Sequence, residues 1–421
     1  MRPVTPFMAM RRVRVVVTRD SFVGGTRGAR CRLGRSAPRA GRSHGNALST
    51  DYVKVSAAVR QATPTGRAYD RRRSPTDQEE KVARARLQDV ADRAEVSLAT
   101  ASRVLNGSAR QPGAALVERV RAAAADLGYV VNAQAQALAR SRTGLLGLVV
   151  QDISDPYFST IAGGAQSAAR EHGRMVLLAS TERDPAAERD AVAAFAAHRV
   201  DAVVVAGTRW SAAEDAPVAE ELATFQASGG RAIVVGQPLG TATVIRPPNA
   251  AGATALAEAL AGQGHRRFVL LSAPARVVTA QERAGAFTAA VAAGSGEIVE
   301  TIEQQFSRDG GYAAGDRVAE LARAAAEAGE DPPCVFAVTD VMAIGLIARL
   351  RELGVDVPGQ VRVAGFDDIP TLRDHVPSVT TVSIPLAEMG RLAVAAAVAE
   401  DGTDVSAAVG HEVVLRESTA R

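Results

Sequence analysis

The chain has 421 residues, room for two or three domains, and 47% hydrophobic residues to build their cores. It contains no apolar run of the ~18 residues that a membrane span needs. Its two cysteines, Cys31 and Cys334, show no metal-ligand or redox spacing, which fits a reducing cytoplasm. The net charge of +3 hides a division. Residues 1–80 hold 17 Lys/Arg against 6 Asp/Glu, residues 81–142 hold 10 against 5, and residues 143–421 hold 22 against 35. A basic front on an acidic body suggests a polyanion-binding head joined to a domain that avoids polyanions.

Residues 1–80 are rich in Arg, Gly, Ser and Pro. No helical or strand pattern lasts long enough to bury a face, so the segment is expected to be a disordered basic extension. The apolar run Val13, Val15, Val16, Val17 is short and interrupted by Arg14, which argues against a signal peptide. Arg71–Arg73 reads as a solvated charge run rather than a phosphate contact.

The stretch 86–106, RLQDVADRAEVSLATASRVLN, predicts two short helices joined by a tight turn. Leu87, Val90, Ala91 and Ala94 form an apolar stripe at i, i+3, i+4 and i+7. Val96 falls in the turn, and Ser97 is a good N-cap for the second helix. There Ala101, Val104 and Leu105 point inward, while Ala99, Ser102, Arg103 and Asn106 share the opposite face. A small polar face with one arginine can enter a DNA major groove, and the arginine can donate twice to a guanine edge. Periodicity alone is served as well by an ordinary helical hairpin.

The residue order decides between them. DVADRAEVSLATASRVLNG resembles the helix-turn-helix of the lactose-repressor (LacI/GalR) family, through Asp89, Val90, Ala91, Ala94, Val96, Ser97, Thr100, Ser102, Arg103, Val104, Leu105, Asn106 and Gly107. Glu95 stands where the family usually has glycine, and Ala101 replaces the usual valine. If Glu95 has a positive φ, the turn is strained by about 1 kcal/mol. The resemblance implies DNA contacts from Ser97, Leu98, Ala99, Thr100, Ser102, Arg103 and Asn106. Since family members generally begin shortly before the first helix, it also offers a second reading of the extension, a native start near Val82.

Ala114–Leu127 predicts a third helix with Leu116, Val120, Ala123, Ala124 and Leu127 buried and Gly128 as its stop. Gly128, Tyr129 and Asn132 then match the family's Gly-Tyr-x-Pro-Asn, with Val131 in place of proline. The segment 132–140, NAQAQALAR, is too short to be a stable helix alone. It resembles the family's hinge helix, which folds on operator DNA and pushes a leucine into the minor groove. Asn132 and Leu138 occupy the contacting positions, and Ala133 stands where an arginine is usual. A plain linker helix is the alternative.

From residue 144, apolar runs alternate with amphipathic segments. Strands are expected at Leu145–Val150, Met175–Ala179, Ala202–Val205, Ala232–Val235, Phe268–Ser272, Val335–Val338 and Val361–Ala364. Helices are expected at Phe158–His172, Pro185–Ala197, Ala250–Ala261, Arg283–Ala293, Gly311–Ala328 and Val341–Leu353. Nearly continuous β-branched runs separated by helices mean parallel sheets covered on both faces. The expected fold is a small all-α helix-turn-helix head plus an α/β periplasmic-binding-protein-like core of two Rossmann-like subdomains. The boundaries are 1–80 for the extension, 81–142 for the head with its hinge at 132–140, and 143–421 for the core. The segments DISDPYF (152–158), GHRR (264–267), TDVMAIG (339–345), GFDDI (365–369) and PSVTTV (377–382) resemble the family throughout the core.

Open parallel sheets bind ligands beyond the carboxyl ends of their strands. Asp152, Tyr157, Phe158, Thr208, Trp210, Thr339, Asp340 and Asp367 follow expected strands. Aromatic faces mixed with carboxylates and an arginine suit a small polyhydroxylated ligand. Family resemblance assigns ligand contacts to Arg283 in ERAGAF, to Asp367 in GFDD, to Phe306 and to Thr339. The candidate ligand residues are Asp152, Tyr157, Phe158, Arg283, Phe306, Thr339 and Asp367. For Asp340 and Asp368 capping is the plainer role, and for Trp210 loop packing.

An exported sugar receptor with the same core would need a signal peptide and would not need the head. An enzyme would need a motif such as G-x-S-x-G, a Walker loop or H-E-x-x-H, and none is present. The expectation is a ligand-responsive transcriptional regulator, a repressor rather than an enzyme, without metal or cofactor. It would be a homodimer in the cytoplasm, off the membrane, reading a near-palindromic operator and sensing a carbohydrate.

Overall fold

The computed structural model describes residues 85–106, 112–130, 142–399 and 407–421, all within one unit, Lys81–Arg421. The basic extension, Gly107 and the hinge segment with Asn132 and Leu138 lie outside the described residues.

Three helices come first: α1 (Leu87–Arg93), α2 (Leu98–Asn106) and α3 (Ala114–Asp126). At the start of α1 the Asp89 carboxylate accepts the Arg86 N–H at 2.7 Å. At the start of α2 the Ser97 hydroxyl accepts the Thr100 N–H at 3.2 Å and lies 2.8 Å from the Thr100 hydroxyl. Glu95 has φ 52°, so the turn takes the left-handed conformation at a non-glycine residue. Val90, Ala91, Ala94, Ala101, Val104, Val117, Val120, Ala123 and Ala124 form the head's own core. Leu105 is only partly buried, and the buried residue at the start of α3 is Val117, not Leu116. Val117, Val120 and Ala124 lie on one helix face, from which Leu116 is displaced by about 100°. Leu127 is exposed because α3 ends at Asp126. Gly128 (φ 59°) reverses the chain, the Tyr129 N–H reaches Ala124 O at 2.8 Å, and the Gly128 N–H reaches Ala125 O at 3.1 Å.

The α/β core follows. It opens with β1 (Leu145–Val150), α4 (Pro156–Glu171), β2 (Met175–Ser180), α5 (Pro185–Ala197), β3 (Ala202–Gly207), α6 (Ala212–Ala227), β4 (Arg231–Gly236) and β5 (Thr243–Arg246). It continues through α7 (Asn249–Gly262), β6 (Arg267–Ser272), α8 (Val278–Ala293), β7 (Glu297–Glu303), α9 (Arg308–Ala313), α10 (Gly315–Ala328), β8 (Cys334–Ala337), α11 (Asp340–Glu352) and β9 (Arg362–Ala364). It closes with β10 (Thr381–Ser383), α12 (Leu386–Val398), β11 (Ala407–Ala408) and β12 (Glu412–Val414).

The first lobe is a parallel sheet in the order β11-β5-β4-β3-β1-β2, and the second is a parallel sheet in the order β7-β6-β8-β9. Every residue of β3 is buried, as expected of a central strand covered on both faces. A short antiparallel pair, β10 with β12, packs on α7 of the second lobe. The chain passes from first lobe to second between β5 and α7, returns between β10 and α12, and passes over again between β11 and β12.

The return is fixed where α12 packs on α4. A Cβ at Gly164 would lie 1.9 Å from Ala387 O, and one at Gly390 would lie 2.1 Å from Ile161 O. Each helix has a glycine where the other's backbone approaches, so the contact is too close for any larger residue. Among the described residues no helix is long and apolar enough to cross a membrane.

Candidate effector cleft and DNA-reading face

The carboxyl ends of both sheets face a common cleft with a cavity volume of about 30 Å³. Gln151 follows β1, Thr208 follows β3, Gly236 ends β4, and Pro247 and Asn249 follow β5. From the second lobe Thr279 and Arg283 come from α8, while Phe306, Thr339 and Asp367 follow β7, β8 and β9. Asp155, Tyr157 and Phe158 complete the lining from the start of α4.

Arg283 and Asp367 are at the centre. Both are buried, and Arg283 Nη2 lies 2.8 Å from Asp367 Oδ1. Arg283 Nε donates to Asn249 Oδ1 at 2.9 Å and Nη1 donates to Val338 O at 2.8 Å. Its guanidinium sits over the Phe366 ring, 3.9 Å from the centroid. Thr339 Oγ1 donates to Asp367 Oδ2 at 2.8 Å. Burial pushes the Asp367 carboxyl up, while Arg283 and the Thr339 hydroxyl pull it back. The Asp367 backbone is strained, with φ 121°, a conformation that L-residues avoid at a cost of about 1–3 kcal/mol. The strain turns its carboxylate toward Arg283 while its N–H still donates to Val382 O at 2.9 Å.

Aromatic rings flank the pair. Tyr157 and Phe158 meet edge to face at 4.9 Å, and the Arg183 guanidinium lies 5.9 Å from the centre of the Phe306 ring. Burial and the nearby Asp367 raise the Tyr157 phenol well above its ordinary value, so it remains a neutral donor. Asp155 caps α4 by accepting the Tyr157 N–H at 3.0 Å. Burial raises its carboxyl to about 6, against the lowering effects of that hydrogen bond and of Arg183 at 3.7 Å.

The structure thus brings together Tyr157, Phe158, Arg283, Phe306, Thr339 and Asp367. Asp152 is placed elsewhere. Its Oδ1 accepts the Ser154 N–H at 2.9 Å and the Ser154 hydroxyl at 2.6 Å, closing its own turn outside the cleft lining. Asp340 is also outside the lining. It accepts the Thr381 hydroxyl at 2.6 Å and the Ile369 N–H at 2.9 Å, so it ties the Asp367 loop down, and burial raises its carboxyl. Asp368 pairs with Arg416 at 2.6 Å, and Trp210 is buried beside the cleft beneath Arg276. Sequence reasoning missed Gln151, Asp155 and Thr279. The available signal for Asp155 was the Asp-Pro pair, an N-cap followed by proline at N1.

The cleft balances its one arginine with Asp367. Its carboxylates, amides and hydroxyls between aromatic faces offer hydrogen bonds to a neutral polyol.

On the head, Ser97, Leu98, Ala99 and Arg103 are exposed and Thr100, Ser102 and Asn106 are partly buried. Asn106 Nδ2 donates to Ser102 Oγ at 2.9 Å, which stiffens that part of the face. Arg103 makes no ion pair among the described residues.

Residues 86–132 match the model of bacterial regulatory proteins of the lacI family, and residues 257–419 match that of the periplasmic binding protein-like domain. The chain is 32% identical over 331 residues to the HTH-type transcriptional regulator reg1 of Streptomyces lividans, covering 75% of this chain and 90% of that one. A solved lac repressor dimer, bound to operator and the anti-inducer ONPF, superposes with a TM-score of 0.67 at 22% identity, over 80% of this chain and all of that one. A complex of the transcriptional regulator CelR with cellobiose has a TM-score of 0.55 at 28% identity, again over 80% and 100%.

Proposed function

The chain belongs to the lacI family of bacterial regulatory proteins, and from that we propose that this transcriptional regulator is a repressor whose operator affinity is set by a neutral sugar held in the cleft. The observation that carries the ligand half is the buried Arg283–Asp367–Thr339 cluster between Tyr157, Phe158 and Phe306. One arginine is cancelled by one carboxylate, so hydrogen-bond geometry rather than charge is on offer to the ligand. The solved CelR neighbour holds cellobiose, which supports a carbohydrate here. The DNA half rests on the α2 face of Leu98, Ala99, Ser102 and Arg103. We assign the domains as 1–80, 81–142 and 143–421, the working form as a homodimer, and the operator as a near-palindrome, because two-fold symmetry doubles a small interface. Leu138 of the hinge segment is proposed as the minor-groove contact. The test is binding to the DNA upstream of the protein's own gene, with neutral sugars and their phosphates added. A neutral sugar is expected to change operator affinity 5–150-fold. Operator binding indifferent to every neutral sugar but responsive to a sugar phosphate would overturn the ligand assignment.

Asp155 adds a pH signature. Its raised carboxyl ionises near pH 6, and a sugar hydroxyl would donate to the ionised form. Affinity for the responding sugar should then rise about tenfold from pH 5 to pH 7 and level off above. Asp155→Asn, which still caps a helix, should flatten the profile. The free protein should show the opposite trend. The folded state holds this proton more tightly than the unfolded chain, so stability falls as pH rises from about 4 to 6. A flat affinity profile in the native protein would remove Asp155 from the contact set.

A further inference from the structure

The two lobes touch through side chains beside those that line the cleft. At the rim, Arg276 of the second lobe lies over the Trp210 ring, 5.0 Å from the centroid, and reaches Glu214 at 3.4 Å. Trp210 and Glu214 belong to the first lobe. Deeper in, Gln237 at the end of β4 is held from both lobes. Its Oε1 accepts the Arg209 N–H at 3.1 Å. Its Nε2 donates to Thr279 Oγ1 at 2.9 Å and to Glu282 Oε2 at 3.0 Å, both on α8 of the second lobe. The same Glu282 oxygen accepts Asn249 Nδ2 at 2.7 Å, and the Asn249 oxygen accepts from Arg283. An unbroken series of polar contacts therefore runs from Asp367 through Arg283, Asn249 and Glu282 to Gln237.

The first-lobe end of this series is firmly anchored. Arg209 is buried in a bidentate pair with Glu188 at 2.8 and 3.0 Å, with Asp215 at 3.6 Å, and Asp215 also accepts the Trp210 N–H at 3.1 Å. Two further bonds join the lobes, Val278 N–H to Arg209 O and Thr279 N–H to Thr208 Oγ1, each 3.1 Å. The rim pair of Arg276 and Glu214 is solvent-exposed and screened by salt, so it adds little alone. Two of the interior bonds, from Gln237 of the first lobe and from Asn249 of the second, meet at one atom, Glu282 Oε2.

We propose that Glu282 is a positioning residue: through Asn249 it holds the Arg283–Asp367 pair, through Gln237 it holds the first lobe, and so it couples lobe closure to the ligand pair. Glu282 does not line the cleft, and its role is to set how much of the population is closed before ligand arrives. The proposal uses the cleft reading above for its consequence, but closure itself can be measured without effector or DNA.

Trp210 is the only tryptophan and is 8% exposed under Arg276, so its emission reports whether the lobes stay closed. The full-length, ligand-free protein and its Glu282→Ala and Glu282→Gln variants are compared by acrylamide quenching and small-angle scattering. Glu282→Ala should raise the quenching constant about twofold or more, shift the emission to the red and enlarge the radius of gyration, with the far-ultraviolet dichroism unchanged. Glu282→Gln keeps an acceptor oxygen and should fall between. It also serves as the readout if the alanine variant does not fold. Quenching and radius equal to the native protein's in a folded variant would overturn the proposal. With the responding sugar added, the concentration for half-maximal operator response should shift about 5-fold or more. Opening by fluorescence without any sugar response would refute the effector reading and leave the latch standing.

Discussion

Arg283→Met is expected to lower stability by about 3–5 kcal/mol and to abolish the effector response, because it strands the buried Asp367 carboxylate. Arg283 is 2% exposed, and its loss would remove the pair at 2.8 Å, the bonds to Asn249 and Val338 O, and the stack on Phe366. Thr339 alone would remain to Asp367. The cost comes from the orphaned charge more than from the lost bonds, so Arg283→Met with Asp367→Leu should recover much of the stability and none of the response. Asp367→Asn keeps the shape but leaves the buried Arg283 charge unpaired, so it should also lower stability while weakening effector binding. Urea unfolding of the native protein, Arg283→Met, Asp367→Leu, Asp367→Asn and the double variant, read beside the operator response, checks this. Additive losses in the double variant would mean that the two residues do not act as a pair.

Arg103→Ala is expected to cost about 1–3 kcal/mol on the operator and to relax preference at one base of each half-site. The head should stay folded, because Arg103 is exposed and the core under it is Ala101, Val104 and their partners on α1 and α3. Affinity for random DNA should change much less. An equal loss on operator and random sequence would reassign Arg103 to a phosphate contact. Leu98, 46% exposed beside it, is the apolar neighbour whose replacement should change which operator is preferred.

Most strands legible from sequence share a physical cause. β1, β3, β4, β6 and β8 lie inside their sheets, are covered on both faces, and so read as continuous apolar runs, while the edge strands β2 and β9 are legible from short apolar runs of their own. β7 is an edge strand, and its segment EIVETIE alternates exposed with covered residues, which hid it among helical segments. α6 contains Pro217, a residue that argues against a helix interior, and α12 is an alanine-rich segment with no clear polar face. Glu95 shows the opposite case, where a positive φ followed from its place in the turn and the structure has it at 52°.

By itself the sequence determined the head, the family, the two-lobed α/β plan and most of the central cleft residues. Those depend on local pattern: a capped pair of helices, strand runs, and short motifs at strand ends. Tertiary structure alone decided which carboxylates face the cleft. Asp152 and Asp155 stand three residues apart, yet Asp152 closes its own turn while Asp155 caps α4 against the cavity. It also decided that α12 and β11 return to the first lobe, because that return needs Gly164 to meet the Ala387 backbone and Gly390 to meet the Ile161 backbone, contacts between segments more than 200 positions apart. And it decided that Gln237, Asn249 and Glu282 share bonds across the lobes. A long-range polar contact leaves no periodic trace in a single chain, since its partners are chosen by the packing of sheets and not by their neighbours in sequence.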